Sequence, residues 1–222
     1  MPKGCSNPGH GGRDSGALGS RSVEKDINLQ VSLKFAKRMR DHGFEMVETR
    51  TTDRFMGLSD IVALANGSGC DFFQSNHCNA GHGHGFEIYA LPGGRAELHA
   101  RVMEKYLATA LGISDRGVKT DQKFYVLVHT AMPAVLVELA FIDNAAEENL
   151  LLNAAWQEKA VEAMVKAWCE IYAVTYRPLG QPQAPPPQTQ PAPPPAADKA
   201  ALVQEALDYL NRAGEVIRKL GE

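Results

Sequence analysis

The chain has 222 residues, 44% hydrophobic and 22% charged, with 23 basic and 26 acidic side chains for a formal charge of −3. These proportions fit one well-cored domain plus a smaller piece and exclude disorder throughout. Neither sign of charge forms a long block, which argues against a nucleic-acid partner held by phosphate neutralisation, and no run approaches the roughly 18 apolar residues of a membrane span.

The chain opens on "MPKGCS", polar enough that the first strand is expected to be short or frayed. No apolar segment of the signal-peptide type precedes the first motif, so synthesis in the cytoplasm and action after release are expected. "NPGHGGRDSG", residues 7–16, then sets four glycines around His10. Such a turn costs backbone entropy on folding, which makes sense if one imidazole must be presented in one place.

Val23, Ile27, Val31, Phe35 and Met39 recur every four residues, with Gly43 as a helix stop, and predict an amphipathic helix. Glu24 lies on its apolar face, where an unpartnered carboxylate is expensive. "FEMVETR" reads as a strand, "LSDIVALAN" as a short helix and "CDFFQSNH" as a strand ending on His77. "GFEIYAL" is a further strand, "RAELHARVMEKYLATAL" a helix, "FYVLVHT" and "AVLVELAF" two more strands, and residues 145–173 a helix. The alternation predicts an α/β fold, a twisted, mostly parallel sheet flanked by helices, with the site beyond the carboxyl ends of strands.

Nine of the 13 prolines fall between Pro178 and Pro195. They predict a polyproline-type linker, semi-rigid, reaching about 3.1 Å per residue. The chain thus divides into a body of residues 1–177, a linker of 178–197 and a tail of 198–222. In the tail, Val203, Leu207, Leu210, Ile217 and Leu220 form a seam at helical spacing, interrupted at Gly214. A single helix cannot bury that seam alone; homo-oligomerisation through it is the first reading, wall attachment or docking on the body the others. The four cysteines, Cys5, Cys70, Cys78 and Cys169, lack a CxxC pair and read as reduced thiols.

His10, Glu24 and His77 are residue types that ligate zinc, and three protein ligands with an open position suit a catalytic ion. Their separations of 14 and 53 residues make no local signature. His82 and His84 in "GHGHG" read as solvated or rim residues, and His129 as an ordinary core or surface histidine.

Taken in order, "NPGHGGRDSGALG", "EKDINL", "ETRTTD", "SNHCNA", "GFEIYA" and "MPAVLVELAFIDN" resemble the zinc-dependent N-acetylmuramoyl-L-alanine amidases of the amidase-3 family, over residues 4 to 173. The resemblance implies one zinc ion per catalytic domain held by His10, Glu24 and His77, with Glu138 as the catalytic carboxylate. It implies hydrolysis of the amide joining the lactyl group of N-acetylmuramic acid to L-alanine in peptidoglycan. Asn79 would hydrogen-bond substrate or hold its loop, and Asn28 would orient Glu24 or satisfy a local backbone group. The chain departs from the family where Asn7 replaces a common Asp and where Ile61 and Val128 replace common Arg residues, so fine stem-peptide specificity is not carried over. A phage or prophage endolysin released through a holin pore is the preferred biological reading. A bacterial autolysin, a zinc peptidase or deacylase on the same scaffold, and a non-catalytic wall-binding module are the alternatives.

Overall fold

The computed structural model describes residues 1–120 and 123–180. The proline-rich linker from residue 181 and the whole tail, with its expected oligomerisation seam, lie outside the described residues.

A six-stranded sheet has the order β2-β1-β3-β6-β4-β5. Strands β1 (Lys3–Pro8), β2 (Glu45–Glu48), β3 (Phe72–Asn79) and β6 (Ala134–Phe141) run parallel to their neighbours in that set. Strand β4 (Phe86–Ala90) pairs antiparallel with β6, and β5 (Asp115–Thr120) runs parallel to β4. The sheet is therefore mostly parallel, as the alternating pattern predicts.

Alternation along the strands sends successive side chains to opposite faces. Phe72, Val135, Val137, Phe86 and Ile88 join one core, shared with α1 (Glu24–Asp41), α3 (Arg95–Ala110) and α6 (Ala154–Ile171). Phe73, Ala134 and Leu136 join the other, shared with α2 (Leu58–Gly67) and α4 (Tyr125–His129). The larger core centres on fully buried Trp168, against which Phe35, Phe44 and Phe72 pack with ring centroids 5.7, 5.9 and 4.4 Å away. Its indole N–H donates to Gln74 Oε1 at 2.7 Å, so the large ring is buried without an orphaned donor. Truncating such a residue to alanine costs about 3–5 kcal/mol.

Three local expectations need correction, and one strand was not foreseen. "FYVLVHT" is not a strand: its middle is the helix α4, with Val126 and Leu127 buried while Tyr125 and Val128 face out. Its β-branched and aromatic composition suits a strand, but that exposure pattern is helical, and the segment packs on α2 and β6 instead of joining the sheet. The segment 145–173 is two helices, α5 (Ala145–Leu151) and α6, because Asn153 caps the second by accepting from the N–H groups of Ala155 and Trp156. The first strand is neither short nor frayed. It runs six residues between β2 and β3 and buries Gly4 through Pro8, with its polar Asn7 paired to Ser75 and Thr49. Finally, "DRGVKT" forms the edge strand β5, whose polar residues and glycine show no hydrophobic alternation to detect.

Candidate metal centre

Three segments remote in sequence converge at the carboxyl ends of β1 and β3. His10 lies two residues beyond β1, Glu24 is the first residue of α1, and His77 is near the end of β3. The three residues offer ligand atoms that all lie within 4.8 Å of one another. Glu24, buried, holds the middle: Oε2 is 3.2 Å from His10 Nε2 and Oε1 is 3.0 Å from His77 Nδ1.

The carboxylate is fixed by more than the histidines. Ala17 N–H donates to Oε2 at 2.8 Å, while Cys78 N–H and Asn28 Nδ2 each donate to Oε1 at 3.1 Å. Asn28 also reaches the Gly9 carbonyl at 3.3 Å, so its amide spans the helix and the His10 turn. Burial pushes the Glu24 carboxyl up, but the two imidazoles outweigh it and hold it well below the usual carboxylate range. Burial also lowers the His10 pKa, yet hydrogen bonds and charge from Glu24 and Asp14 carry it up to about 9. Asp14 Oδ2 lies 2.9 Å from His10 Nδ1, which aims Nε2 inward. A carboxylate behind an imidazole is the usual support of a metal-binding histidine.

Two glycines explain why the opening motif is so poor in side chains. A Cβ on Gly9 would lie 2.2 Å from the His77 ring, and one on Gly16 would lie 2.5 Å from both Glu24 Oε2 and the His10 ring. Gly16 also has φ +66°, a left-handed backbone that favours glycine.

Sequence reasoning missed the group that holds this motif. Arg50, fully buried, donates from Nε to the Pro8 carbonyl at 3.1 Å and from Nη2 to the carbonyls of Gly9 and Lys25 at 3.0 and 2.7 Å. It ties the peptide before His10 to the peptide after Glu24. Glu148 does the same for the 20–22 turn, accepting from Ser20 Oγ, Arg21 N–H and Ser22 Oγ. Only an Arg after a strand and a Glu in a helical run mark them in sequence. Asp14 had a local signal, four residues after His10.

Glu138 pairs in register with His77 on one side and Glu87 on the other, and all three side chains share a sheet face. Its Oε2 is buried with no hydrogen-bond partner among the described residues. Burial, reinforced by the charges of Glu24 and Glu87 and opposed by His10, pushes its pKa up to about 8. Asn79 does not point its amide outward: Nδ2 donates to Glu87 Oε1 at 2.7 Å and Oδ1 accepts from Ala80 N–H.

A cavity of about 330 Å³ opens beside His10 and His77, walled by Leu58, Ile61, Phe124 and Tyr125. Ile61, where a family Arg is common, is a buried part of that apolar wall, whereas Val128 is exposed on α4. Asn7, in place of the common Asp, sits neutral between Ser75 Oγ and Thr49 Oγ1, both at 2.7 Å. His82, His84 and His129 are exposed and outside the centre. No helix among the described residues is long and apolar enough to cross a membrane.

The family model of N-acetylmuramoyl-L-alanine amidase matches residues 6–169. The chain is 38% identical over 164 residues to the N-acetylmuramoyl-L-alanine amidase LytC of Bacillus subtilis, covering 71% of this chain and 33% of that one. It is 37% identical over 173 residues to the endolysin of Bacillus phage SPP1, covering 73% and 63%. The chain thus spans about a third of LytC and under two thirds of the endolysin. Among solved structures, the catalytic domain of CwlV, an N-acetylmuramoyl-L-alanine amidase from Bacillus (Paenibacillus) polymyxa var. colistinus, superposes with a TM-score of 0.76 at 32% identity, covering 79% of this chain and all of that one. With most of its body matched in sequence and in fold, the chain belongs to the amidase-3 family of N-acetylmuramoyl-L-alanine amidases.

Proposed function

We propose that this protein hydrolyses the amide between the lactyl group of N-acetylmuramic acid and L-alanine in peptidoglycan, with one zinc ion held by His10, Glu24 and His77. The observation that carries the reading is the convergence of those three donors beside Glu138, a buried carboxyl with an unpartnered oxygen. Two imidazoles and one carboxylate suit zinc chemically. When bound, zinc supplies Lewis acidity toward water and the scissile carbonyl.

The chain's own residues do the rest. Glu24 is held from three sides by Ala17, Cys78 and Asn28, so little reorganisation accompanies ligand loading. Glu138, a buried carboxyl beside His77 with one oxygen unpartnered, accepts a proton from the attacking water and returns it to the alanine nitrogen as the amide breaks. Asn79 supports the loop after His77 through Glu87.

The 37% identity with the SPP1 endolysin supports a role in cell lysis, and the 38% identity with the bacterial amidase LytC equally supports the alternative, a bacterial wall amidase acting as an autolysin. Mass spectrometry of purified peptidoglycan digested by the full chain tests the chemistry. New N-terminal alanine and free lactyl carboxyl groups, lost on chelation and restored by zinc, are expected. Cleavage within the stem peptide, loss of acyl groups alone, or binding without cleavage would each contradict the proposal.

A further inference from the structure

The row of side chains on the site's face does not end at Glu138. Glu87 lies next to it on β4, and Arg116 follows on β5. The β4–β5 register passes from Phe86↔Asp115 to Ile88↔Val118, so β5 carries one extra residue there. Gly117, at φ +83°, absorbs the bulge. Val118 thereby packs with the large core while Arg116 stays on the face of Glu87. Bulges beside active sites commonly re-aim a side chain in this way.

Arg116 is firmly seated. Nε donates to Glu87 Oε2 at 2.8 Å, and the guanidinium lies 5.0 Å from the centre of the Phe141 ring. Glu87 is buried and held in turn by Asn79 Nδ2 and the Tyr89 hydroxyl, at 2.7 and 2.8 Å. A buried carboxylate with this many partners does not need the whole guanidinium. Nη1 makes only a long 3.5 Å contact with the His84 carbonyl, and Nη2 has no hydrogen-bond partner among the described residues. The side chain is 38% exposed. An Arg fork held along one edge and open along the other presents a carboxylate site.

Resting on the amidase reading, we infer that Arg116 binds a carboxylate of the stem peptide on the amine side of the scissile bond. Arg116 stands two strands from Glu138, about 10 Å at ordinary strand spacing. An extended peptide advances about 3.3–3.6 Å per residue, and the open end of a guanidinium and a carboxylate close part of the remaining distance. The carboxylate therefore belongs to the second or third stem residue. Glu87, Asn79, Tyr89 and Phe141 act through Arg116 as its seat.

Steady-state kinetics of the zinc-loaded full chain on two synthetic muramyl peptides test this, the pair differing only in a free carboxylate or a carboxamide on the second stem residue, with a second pair varied at the third. Wild type is expected to favour the carboxylate member of one pair through KM. Arg116→Gln is expected to raise KM for that member about 10- to 100-fold, the range of a hydrogen-bonded charge pair, with kcat changing far less and discrimination lost. Arg116→Lys should restore part of it. Thermal melting and zinc content of the variants report whether the fold is kept. Equal losses on carboxylate and carboxamide, a fall in kcat at constant KM, or no change in a folded variant would overturn the inference and leave the amidase reading standing. Failure of wild type to cleave the lactyl amide in any of the four peptides would instead overturn both.

Discussion

Glu138 sits directly beside His77 across the β3–β6 ladder, one buried carboxyl next to one imidazole on the same sheet face. Parallel register places it there: the strand "AVLVELAF" carries apolar side chains on both faces, and this single polar one points toward the convergent donors. In the proposed mechanism this pairing separates holding an ion from moving a proton, and the two roles can be broken one at a time.

Glu138→Gln keeps the shape of the side chain and removes its proton chemistry. Zinc content and sedimentation with peptidoglycan should match wild type, while kcat falls by about 10²–10⁴, the usual contribution of a general acid–base group. Full turnover in this variant would remove Glu138 from the mechanism.

The same substitution should stabilise the chelator-treated protein at alkaline pH. The Glu138 pKa stands at about 8 in the fold, against an ordinary value near 4.3 in an unfolded chain. Between those two values the folded state binds a proton that the unfolded state has released, so stability falls as pH rises. The penalty is absent below about pH 4 and complete above about pH 8, on the order of 5 kcal/mol. Glutamine does not titrate. Urea unfolding at pH 5 and pH 8.5 should therefore show the variant gaining on wild type at the higher pH; an identical difference at both would contradict the buried, raised carboxyl.

Gly16→Ala should lose zinc while the rest of the fold survives. The added methyl meets Glu24 and His10 at 2.5 Å, and the left-handed backbone costs an L-residue about 1–2 kcal/mol. Gly67→Ala, at the end of α2 with nothing within 4 Å, is the control and should be neutral or stabilising by up to about 1 kcal/mol. Zinc analysis of the two purified variants checks the contrast.

Arg50→Met tests whether the opening motif is held from beneath. It leaves the carbonyls of Pro8, Gly9 and Lys25 without their donor, a loss of about 3 kcal/mol. Because those carbonyls flank His10 and Glu24, zinc affinity should fall too. Denaturant unfolding with and without zinc measures both effects; a folded variant with wild-type affinity would show that the motif is pre-formed without Arg50.

Much of this was readable in the chain. The four-residue repeat from Val23 to Met39 marks α1, and the glycines around His10 mark a turn built for clearance. What stayed hidden depends on partners distant in sequence. Strand β5 has no hydrophobic alternation because it is an exposed edge. Segment 124–130 has strand-like composition, and only its packing on α2 and β6 makes it helical. Arg50, Glu87 and Arg116 take their meaning from carbonyls and carboxylates supplied by other segments. Asn79 follows the same rule, since its amide is committed to Glu87, eight residues on.

Anomalous diffraction from crystals of the zinc-loaded protein, recorded on both sides of the zinc absorption edge, shows directly whether His10, Glu24 and His77 share one ion. One strong zinc peak per chain is expected, in contact with His10, Glu24 and His77 together. A peak bound elsewhere, or none at this centre under saturating zinc, would contradict it.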